Sequence, residues 1–503
     1  MSWTLALDHL PALPELLLLL GTCTLMLADA RARDPRRPIG YWMAQGTLGA
    51  CFLATLFVIW GTGVQAVDGA ARYDRLYLFN GLFVADFLAH LVKLASYAAV
   101  SAALVYSREY LAQRGLLRGE FITLLLFSLL GAMILVSANS FLTVYLGLEL
   151  MSLCLYALVA LNRDSALSTE AAMKYFVLGA LSSGLLLYGM SMIYGATGTL
   201  TLPDVAKAVG TLADRDRTFL VFGLVFMVAG IAFKIGVVPF HMWIPDVYHG
   251  APTPVTLVIG SAPKLAAFAM AIRLLVNGVP GLAADWQQML ALLAILSIAL
   301  GNITAIAQTN LKRMLAYSAI ANMGFMLLGL LSGMVEGNWL NRNDAYTAAL
   351  FYIITYAIMS VGAFGMLLLL SRAGFECENL DDMRGLNRRS PWYAFLMMLL
   401  MLSLAGIPPT VGFYAKLAVL AAAVAAGHVW LAVAAVIFSL VGAYYYLRVV
   451  KLMYFDEPKD AAPILAGAPS RVLMSANGLA VLVFGVLPQP LMGLCFVAVV
   501  SLF

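Results

Sequence analysis

Apolar runs of about twenty residues recur along the whole chain, and they constrain its fold more than any other feature. A run of that length crosses the roughly 30 Å of membrane hydrocarbon as a helix. Of the 503 residues, 63% are hydrophobic and only 11% are charged, whereas soluble domains carry about 25% charged residues. No polar linker divides the chain. The sequence therefore predicts one all-α polytopic membrane domain that spans 1–503.

The runs predict about fourteen transmembrane helices. These helices are expected near 10–29, 39–61, 78–106, 119–137, 139–161, 171–195, 218–240, 254–277, 286–307, 311–333, 345–371, 391–426, 429–453 and 473–501.

Arginine and lysine collect in the odd-numbered loops of this arrangement. The first loop holds Arg31 and three further arginines at 33, 36 and 37, Lys312 and Arg313 follow the ninth helix, and Arg384 and Arg388 follow the eleventh. Loops rich in lysine and arginine stay on the cytoplasmic side of a membrane. We therefore expect the odd loops in the cytoplasm and both termini on the periplasmic side.

Nothing in the sequence has the spacing of a metal or cofactor site. The five cysteines lie far apart without a Cys-x-x-Cys motif, which argues against zinc and iron–sulfur sites. His241, His249 and His428 have no ligand spacing, and a net charge of +4 spread over the chain does not favour nucleic-acid binding. We expect no bound cofactor, metal or nucleic acid.

Four ionisable residues stand near the centres of predicted helices: Glu149, Lys234, Lys264 and Lys416. A charge at that depth costs several kcal/mol unless it is paired or hydrated, so it indicates a function. Lys234 follows about a dozen apolar or small residues, so it cannot reach the interface by extending its side chain. Protonatable groups of this kind predict proton transfer.

Other charged residues favour structural interpretations. Asp86, His90 and Lys93 share one face of the third predicted helix, and we interpret them as a self-neutralising structural cluster. Lys174, Asp246 and Arg273 fall near membrane edges, where we expect interfacial positions.

Prolines and glycines interrupt the seventh, eighth and twelfth helices. They are Pro239, Pro245, Pro252, Pro254 and Pro263, and then Gly406, Pro408, Pro409 and Gly412. Non-helical backbone at membrane depth survives only where it lines protein or water, and breaks at matching places in two halves suggest inverted repeats. We predict a three-helix segment (1–110), two inverted five-helix repeats (119–277 and 286–453) with helices 7 and 12 broken, and a C-terminal helix (473–501).

Three long motifs occur in one order: GIAFKIGVVPFHMWIPDVYHGAPTPVT at 230–256, AQTNLKRMLAYSAIANMGF at 307–325, and SLAGIPPTVGFYAK at 403–416. With them the whole chain resembles the antiporter-like membrane subunits of proton-pumping NADH:quinone oxidoreductase (respiratory complex I). M-type and L-type subunits and Mrp antiporters typically read P-L-H-x-W-L-P-D-A-H in the first motif, whereas residues 239–250 here resemble the N type. Lys416 is similar to the N and L types, since the M type has glutamate. The chain is too short for the long lateral helix of an L type.

The sequence departs from the family pattern at Asn322, where members often have histidine. Asparagine cannot titrate. This position is therefore expected to serve only as a hydrogen-bonding or water-ordering link.

The resemblance implies roles for the charged residues. Glu149 would pair with Lys234 in the first half, Lys264 would bridge the halves, and Lys416 would lie at the far end of a hydrated mid-membrane axis. The supporting residues implied around this axis are Asn322, Tyr317, Ser318, His241, Pro239 and Pro408.

The resemblance also implies an activity and a setting. The chain would be a proton-translocating subunit of the enzyme, driven by electron transfer elsewhere and without a redox centre of its own. FMN, iron–sulfur clusters and quinone are expected in partner subunits. The expected partners are M-like and K-like neighbours, the lateral helix of an L-like subunit and the lipid bilayer, in the bacterial cytoplasmic (inner) membrane.

Two other functions would use the same lysines: a Mrp-type cation/proton antiporter subunit without a redox partner, and a membrane subunit of an energy-converting hydrogenase. A purely structural scaffold is a third possibility. The free-energy cost of four charges at mid-membrane argues against a scaffold.

Overall fold

The computed structural model describes residues 10–31, 38–62, 64–67, 70–73, 75–211, 214–335, 338–339, 341–459, 462, 464 and 466–503. The predicted loop arginines at 33, 36 and 37 lie outside these residues.

The described chain is built almost entirely from helices. In chain order the α-helices are α1 (Leu13–Ala30), α2 (Pro38–Thr62), α3 (Phe87–Gln113), α4 (Gly119–Val136), α5 (Phe141–Val159), α6 (Ala166–Thr197), α7 (Leu202–Thr211), α8 (Asp214–Ile235), α9 (Trp243–Gly250), α10 (Thr253–Ile259), α11 (Ala262–Ala271), α12 (Ala283–Ile306), α13 (Leu311–Leu331), α14 (Arg342–Leu370), α15 (Leu386–Arg389), α16 (Pro391–Ala405), α17 (Val411–Ala425), α18 (Val429–Phe455), α19 (Ala468–Val486) and α20 (Gln489–Val500). A π-helical segment, Ile272–Gly278, continues α11. Two antiparallel hairpins pair β1 (Val64–Val67) with β2 (Ala70–Tyr73) and β3 (Leu76–Leu78) with β4 (Phe83–Ala85).

The prediction of an all-α polytopic membrane protein is confirmed. Among the described residues, 13 helical segments are long and apolar enough to cross a membrane. The half-length apolar helices α16 and α17 occupy the place of the predicted twelfth span.

The third helix begins later than the sequence predicts, at Phe87 rather than near residue 78. Asp86 caps it, because its Oδ1 accepts a hydrogen bond from the backbone N–H of Ala89 at 2.9 Å. The apolar residues before the cap form the β3–β4 hairpin, in which Leu78 lies opposite Phe83. Their hydrophobicity reflects burial in a hairpin and not a membrane span.

The last predicted span, 473–501, is two helices. α19 ends at Val486 and α20 begins at Gln489, after Pro488. The chain end then packs on other elements, because Arg75 Nε donates to the Ser501 carbonyl at 2.8 Å and the Phe503 ring stacks on Tyr346 at 6.2 Å.

Close helix packing places the charged helix α5 against α4. Gly131 and Gly147 face each other, and a Cβ added to Gly147 would lie 2.6 Å from the backbone nitrogen of Leu135. Small residues of this kind let two membrane helices approach closely. Glu149 follows two residues after this contact.

The predicted self-neutralising cluster on the third helix is wrong. Asp86 forms a two-bond ion pair with Arg273 at 2.6 and 2.8 Å, and Lys93 pairs with Glu15 at 2.5 Å. His90 is fully buried, and neither ring nitrogen has a hydrogen-bond partner among the described residues. Asp86 and Lys93 are each neutralised by a residue of another helical segment, because a buried charge is costly unless it is paired.

Arg273 is buried within the protein, since only 2% of it is exposed, and its position near a membrane edge stays a prediction. Lys174 and Asp246 do lie at a more exposed edge, where they pair at 2.8 Å with 44% and 35% of their side chains exposed.

Arg273→Ala is expected to destabilise the protein by about 3–5 kcal/mol, because it leaves the Asp86 carboxylate buried without its cation. Arg217→Ala is the matched control. Its pair with Asp285 spans 3.3 Å and Arg217 is 57% exposed, so a loss of about 0–1 kcal/mol is expected. Thermal unfolding of the detergent-solubilised protein measures both, and equal losses would contradict the assignment.

Candidate functional site

Lys234 lies in the last turn of α8 and is 8% exposed. Its ammonium donates to Ser152 Oγ at 2.8 Å and to the Tyr156 hydroxyl at 3.2 Å, both on α5. These acceptors follow Glu149 by three and seven residues, so all three lie on one face of α5. Sequence reasoning missed both hydroxyls, although this spacing could have identified them.

Glu149 does not form the expected direct ion pair with Lys234. No salt bridge joins these two described side chains; they interact only by longer-range Coulomb attraction. Glu149 is half-buried, and its Oε1 atom is buried without a hydrogen-bond partner among the described residues. The Lys234 ammonium instead donates its hydrogen bonds to the Ser152 and Tyr156 hydroxyls on α5.

Lys264 binds the C-terminal end of α8, the helix that carries Lys234. Its ammonium donates to the Ile235 carbonyl at 2.5 Å and lies 5.3 Å from the centre of the Trp243 ring. Lys264 is 2% exposed. It therefore neutralises the negative carbonyl end of α8 without a carboxylate.

Lys416 makes the same kind of contact in the second half. Its ammonium donates to the Leu404 and Ala405 carbonyls at 3.1 and 2.8 Å, and to Ser439 Oγ at 3.0 Å. It also lies 4.9 Å from the centre of the Phe325 ring. Lys416 thus binds the carbonyl end of α16 as Lys264 binds that of α8, and it is half-buried.

The two helix ends share a local design. Gly236 ends α8 with φ +83° and Gly406 ends α16 with φ +84°, a backbone conformation that favours glycine. A Cβ on Gly236 would lie 3.0 Å from Lys264 Nζ, and one on Gly406 would lie 2.7 Å from Lys416 Cδ. Each glycine therefore leaves room for a lysine.

Pro239 and Pro408 lie in the two connections and are exposed on this chain. His241 is half-buried beyond Pro239, and its Nδ1 atom has no hydrogen-bond partner among the described residues. Pro239, Pro408 and His241 therefore lie beside the helix ends, and none of them is among the hydrogen-bond partners of the Lys234, Lys264 and Lys416 ammoniums in the described residues.

A buried hydrogen-bond network surrounds Asn322 on α13. Asn322 accepts from the Tyr352 hydroxyl at 2.7 Å and lies 3.4 Å from the Tyr446 hydroxyl, which is 2.5 Å from Ser318 Oγ. Sequence reasoning missed both tyrosines. Tyr317 is half-buried and has no side-chain hydrogen bond in this described region, so the expected trio is only partly brought together.

Asp246 fixes α9 beside the first helix end. Burial raises the pKa of Asp246, but hydrogen bonds from Lys174 and Arg313 outweigh that effect and hold its pKa below the usual value. The carboxylate therefore stays ionised at neutral pH and binds α9 to both α6 and α13.

A polar cavity of about 470 Å³ opens at the far end of α9, beside His249. Two ion pairs line it: Lys312 with Glu378 at 2.9 Å, and Arg114 with Glu376 at 2.5 Å. A second cavity, of about 540 Å³, lies at the other end of the helices and reaches Tyr414, two residues before Lys416.

The chain is similar in sequence to proteins of one family. Residues 138–442 match the family described as "NADH:quinone oxidoreductase/Mrp antiporter, TM". One curated relative, NADH-quinone oxidoreductase subunit N of Thiobacillus denitrificans (strain ATCC 25259 / T1), is 59% identical to this chain over 97% of both chains. The relative of the same name in Herminiimonas arsenicoxydans is 56% identical, over 98% of this chain and 99% of that one.

Solved structures have the same fold. A chain of respiratory complex I from Thermus thermophilus with bound Aureothin is 31% identical with a TM-score of 0.77, and the match covers 95% of this chain and 98% of that one. A chain of the Mrp complex from Dietzia sp. DQ12-45-1b has a TM-score of 0.83 at 20% identity, over 98% of this chain and 97% of that one. The second likeness is one of fold alone.

Gly406→Ala is expected to destabilise the protein more than Gly427→Ala. Both glycines have a positive φ, +84° and +81°, but a Cβ at Gly427 meets nothing within 4 Å. Gly427→Ala should cost about 1–2 kcal/mol of backbone strain, and Gly406→Ala about 1–3 kcal/mol more, because the Lys416 side chain must move. Thermal unfolding in detergent measures the difference; equal shifts would contradict close packing of Gly406 on Lys416.

Proposed function

The chain belongs to the NADH:quinone oxidoreductase/Mrp antiporter family of membrane subunits, and we propose that Lys234, Lys264 and Lys416 carry protons within it. The chain is a proton-translocating membrane subunit of NADH:quinone oxidoreductase. The observation that carries the proposal is the absence, among the described residues, of a carboxylate in contact with any of these three ammoniums.

Other buried cations of the described chain differ in this respect. Lys93, Arg273 and Lys312 each contact a carboxylate, at 2.5, 2.6 and 2.9 Å. A carboxylate about 4 Å away already favours the protonated form of a lysine by about 4 kcal/mol at an effective dielectric of about 20, and the contacts above are shorter. Hydroxyl and carbonyl acceptors hold it less strongly, so Lys234, Lys264 and Lys416 can release a proton without leaving a bare negative charge.

The helix ends explain how the same lysines can also be charged. The carbonyl end of a helix carries about half a negative charge, and Lys264 and Lys416 bind such ends directly. Partial stabilisation of both states is what a proton-transfer group requires, because it must take up and release the proton in each cycle.

Glu149 acts on Lys234 from a distance in this proposal. Its charge favours the protonated lysine, and protonation or movement of the carboxylate would favour release. The pair is then a two-state element whose separation sets the proton affinity of Lys234. The unpartnered Oε1 of Glu149 leaves that carboxylate free to change its contacts.

We propose that neighbouring subunits contact this chain beside Glu149 and beside Lys416, the first and last of the four charged residues. Glu149 and Lys416 are half-buried on this chain, whereas Lys234 and Lys264 between them are buried. Because exposed ionisable groups at membrane depth need protein or water beside them, we place other complex I membrane subunits there. M-like and K-like subunits and the lateral helix of an L-like subunit are our proposed neighbours.

Electron transfer is proposed to occur outside this chain. FMN, iron–sulfur clusters and quinone would lie in partner subunits, which would make this chain a subunit of a redox enzyme without a redox centre. We propose the bacterial cytoplasmic membrane as its location, with both termini periplasmic, since the arginine-rich odd loops favour the cytoplasmic side. The 470 Å³ cavity would then face the cytoplasm and the 540 Å³ cavity the periplasm.

Lys416→Ala is expected to lower NADH-driven proton pumping by about tenfold or more, since a positioned proton-transfer group contributes at least that much. Lys416→Arg should fail similarly, because a guanidinium stays charged. Lys451→Ala is the matched control, since Lys451 is 63% exposed and pairs with Asp456. Pumping is measured in membranes with equal amounts of assembled complex; normal pumping by Lys416→Ala would exclude an essential role.

Glu149→Gln and Lys234→Met are each expected to slow pumping. The double variant should be no worse than the more damaging single one, because the two groups act as a unit. Glu170→Gln is the control for loss of a carboxylate, since Glu170 is 63% exposed on the neighbouring α6. Strictly additive losses in redox-driven pumping would rule out the coupled pair.

A further inference from the structure

An apolar groove runs along the middle of α3, α14 and α19, and none of the roles above uses it. Its volume is about 410 Å³. Ala357 and Val361 of α14 form its floor and are 4% and 3% exposed. Ala98 of α3 and Ala476 of α19 lie on its two walls and are exposed. The groove is therefore closed by α14 and open between α3 and α19.

The surface of the groove is hydrocarbon. Asn477 is the one polar residue among the described residues that line it. With its amide oriented to satisfy both groups, Asn477 donates to the Ile358 carbonyl at 3.1 Å and accepts from the Gly362 N–H at 3.3 Å. The other lining side chains are alanine, leucine, isoleucine and valine. Because an apolar space stays free of ordered water, and this one lies at the centre of membrane spans, it suits a hydrocarbon occupant.

The dimensions of the groove select among hydrocarbon occupants. Along α3 the lining runs from Leu91 to Ala102, which is a rise of about 16 Å. The volume of about 410 Å³ then corresponds to a cross-section of about 25 Å². An α-helix about 10 Å wide needs about 80 Å². A single hydrocarbon chain therefore fits the groove, and a transmembrane helix of a neighbouring subunit does not.

A small polar pocket continues the groove at one end. Tyr106, Glu109 and Ser470 are among the residues that line this pocket. Tyr106 lies one turn beyond Ala102 on α3, and Ser470 lies one turn before Leu473 on α19. Tyr106 is 3% exposed, and its hydroxyl has no hydrogen-bond partner in the described ranges of the chain. An unused polar group thus stands at the end of the apolar groove.

Glu109 gives the pocket a negative charge. Its Oε2 accepts a hydrogen bond from the Gly467 N–H at 2.9 Å, which connects α3 to the start of α19. The carboxylate is half-buried, and no salt bridge neutralises it within the described part of the chain. The neighbouring cations of α3 are engaged elsewhere, since Arg108 lies over an aromatic ring of α2 and Arg114 binds Glu376. The charge of the pocket therefore complements an ammonium group.

We propose that the groove binds one acyl chain of a membrane phospholipid whose headgroup ends in a primary ammonium, as in phosphatidylethanolamine. The acyl chain packs on the α14 floor. The ammonium donates to the Glu109 carboxylate, and the Tyr106 hydroxyl donates to an oxygen of the lipid. A phospholipid without an ammonium brings only its negative phosphate to Glu109, and like charges repel. The site is separate from the lysines of the proposed function, and it joins the N-terminal helix α3 to α19 through a lipid.

The test labels the site in the assembled complex. The complex is reconstituted in vesicles that contain phosphatidylethanolamine or phosphatidylglycerol with a photoactivatable diazirine on one acyl chain, and mass spectrometry identifies the labelled peptides. Phosphatidylethanolamine is expected to label α3, α14 and α19. Phosphatidylglycerol has the same phosphate without an ammonium and should label them about tenfold less, since a hydrogen bond to a charged group contributes about that much. Equal labelling of these helices by the two lipids would overturn the proposal.

Three variants change the groove or its charge. Ala98→Phe and Ala476→Phe place a ring in the groove from opposite walls. Each should lower labelling by phosphatidylethanolamine at least about tenfold, because the displaced acyl methylenes lose their burial. Glu109→Gln keeps an oxygen for the Gly467 N–H and loses the charge, so the two lipids should then label these helices equally.

Ala50→Phe and Glu120→Gln are the matched controls. Ala50 is exposed at the middle of α2, and Glu120 is exposed in the first turn of α4. Neither residue lines the groove, so both variants should be labelled like the unaltered complex. Unchanged labelling in both groove-filling variants would overturn the proposal. So would an unaltered complex in which these helices take up no lipid label and Ala98→Phe releases a neighbouring subunit, because protein would then fill the groove.

Discussion

The structure depends on one constraint: a charge or an unpaired backbone group has no water to bind inside the membrane. The chain meets this constraint in two ways. Asp86 and Arg273 neutralise each other completely, with two hydrogen bonds in a buried position. Lys264 and Lys416 instead bind the carbonyls at the ends of α8 and α16, which would otherwise lack partners. The lysines and the helix ends therefore satisfy each other.

The kind of partner separates buried charges that only stabilise the structure from those that can exchange a proton. A buried ion pair resists titration, because losing either proton or partner leaves an isolated charge. An amine held by carbonyls and hydroxyls loses only part of its stabilisation when it becomes neutral. The protein thus contains both kinds of site within a few helices of each other, and their partners, more than their depth, determine what they can do.

Much of this arrangement could be predicted from the sequence, and the failures have physical causes. Apolar length predicted about fourteen spans, and 13 helical segments of the described residues are long and apolar enough to cross a membrane. Isolated charges identified Lys234 and Lys264, which the structure buries. The start of α3 was wrong because hydrophobicity alone does not separate a buried hairpin from a span. The pairing of Asp86 with Arg273 was missed because the sequence does not show which helix faces meet, and the same limit hid Tyr352 and Tyr446. The division into inverted repeats stays a prediction.

The Asp86–Arg273 pair has a consequence for how the chain is made. Lys93 and Glu15 both belong to the first helices, so they can neutralise each other early in synthesis. Arg273 follows Asp86 by 187 residues, which a ribosome adding roughly 5–20 residues per second takes about 10–40 s to produce. During that interval Asp86 has to stay at the edge of the bilayer or bind protons or water. The N-terminal helices can therefore insert first, but they dock permanently only after the eighth span has emerged.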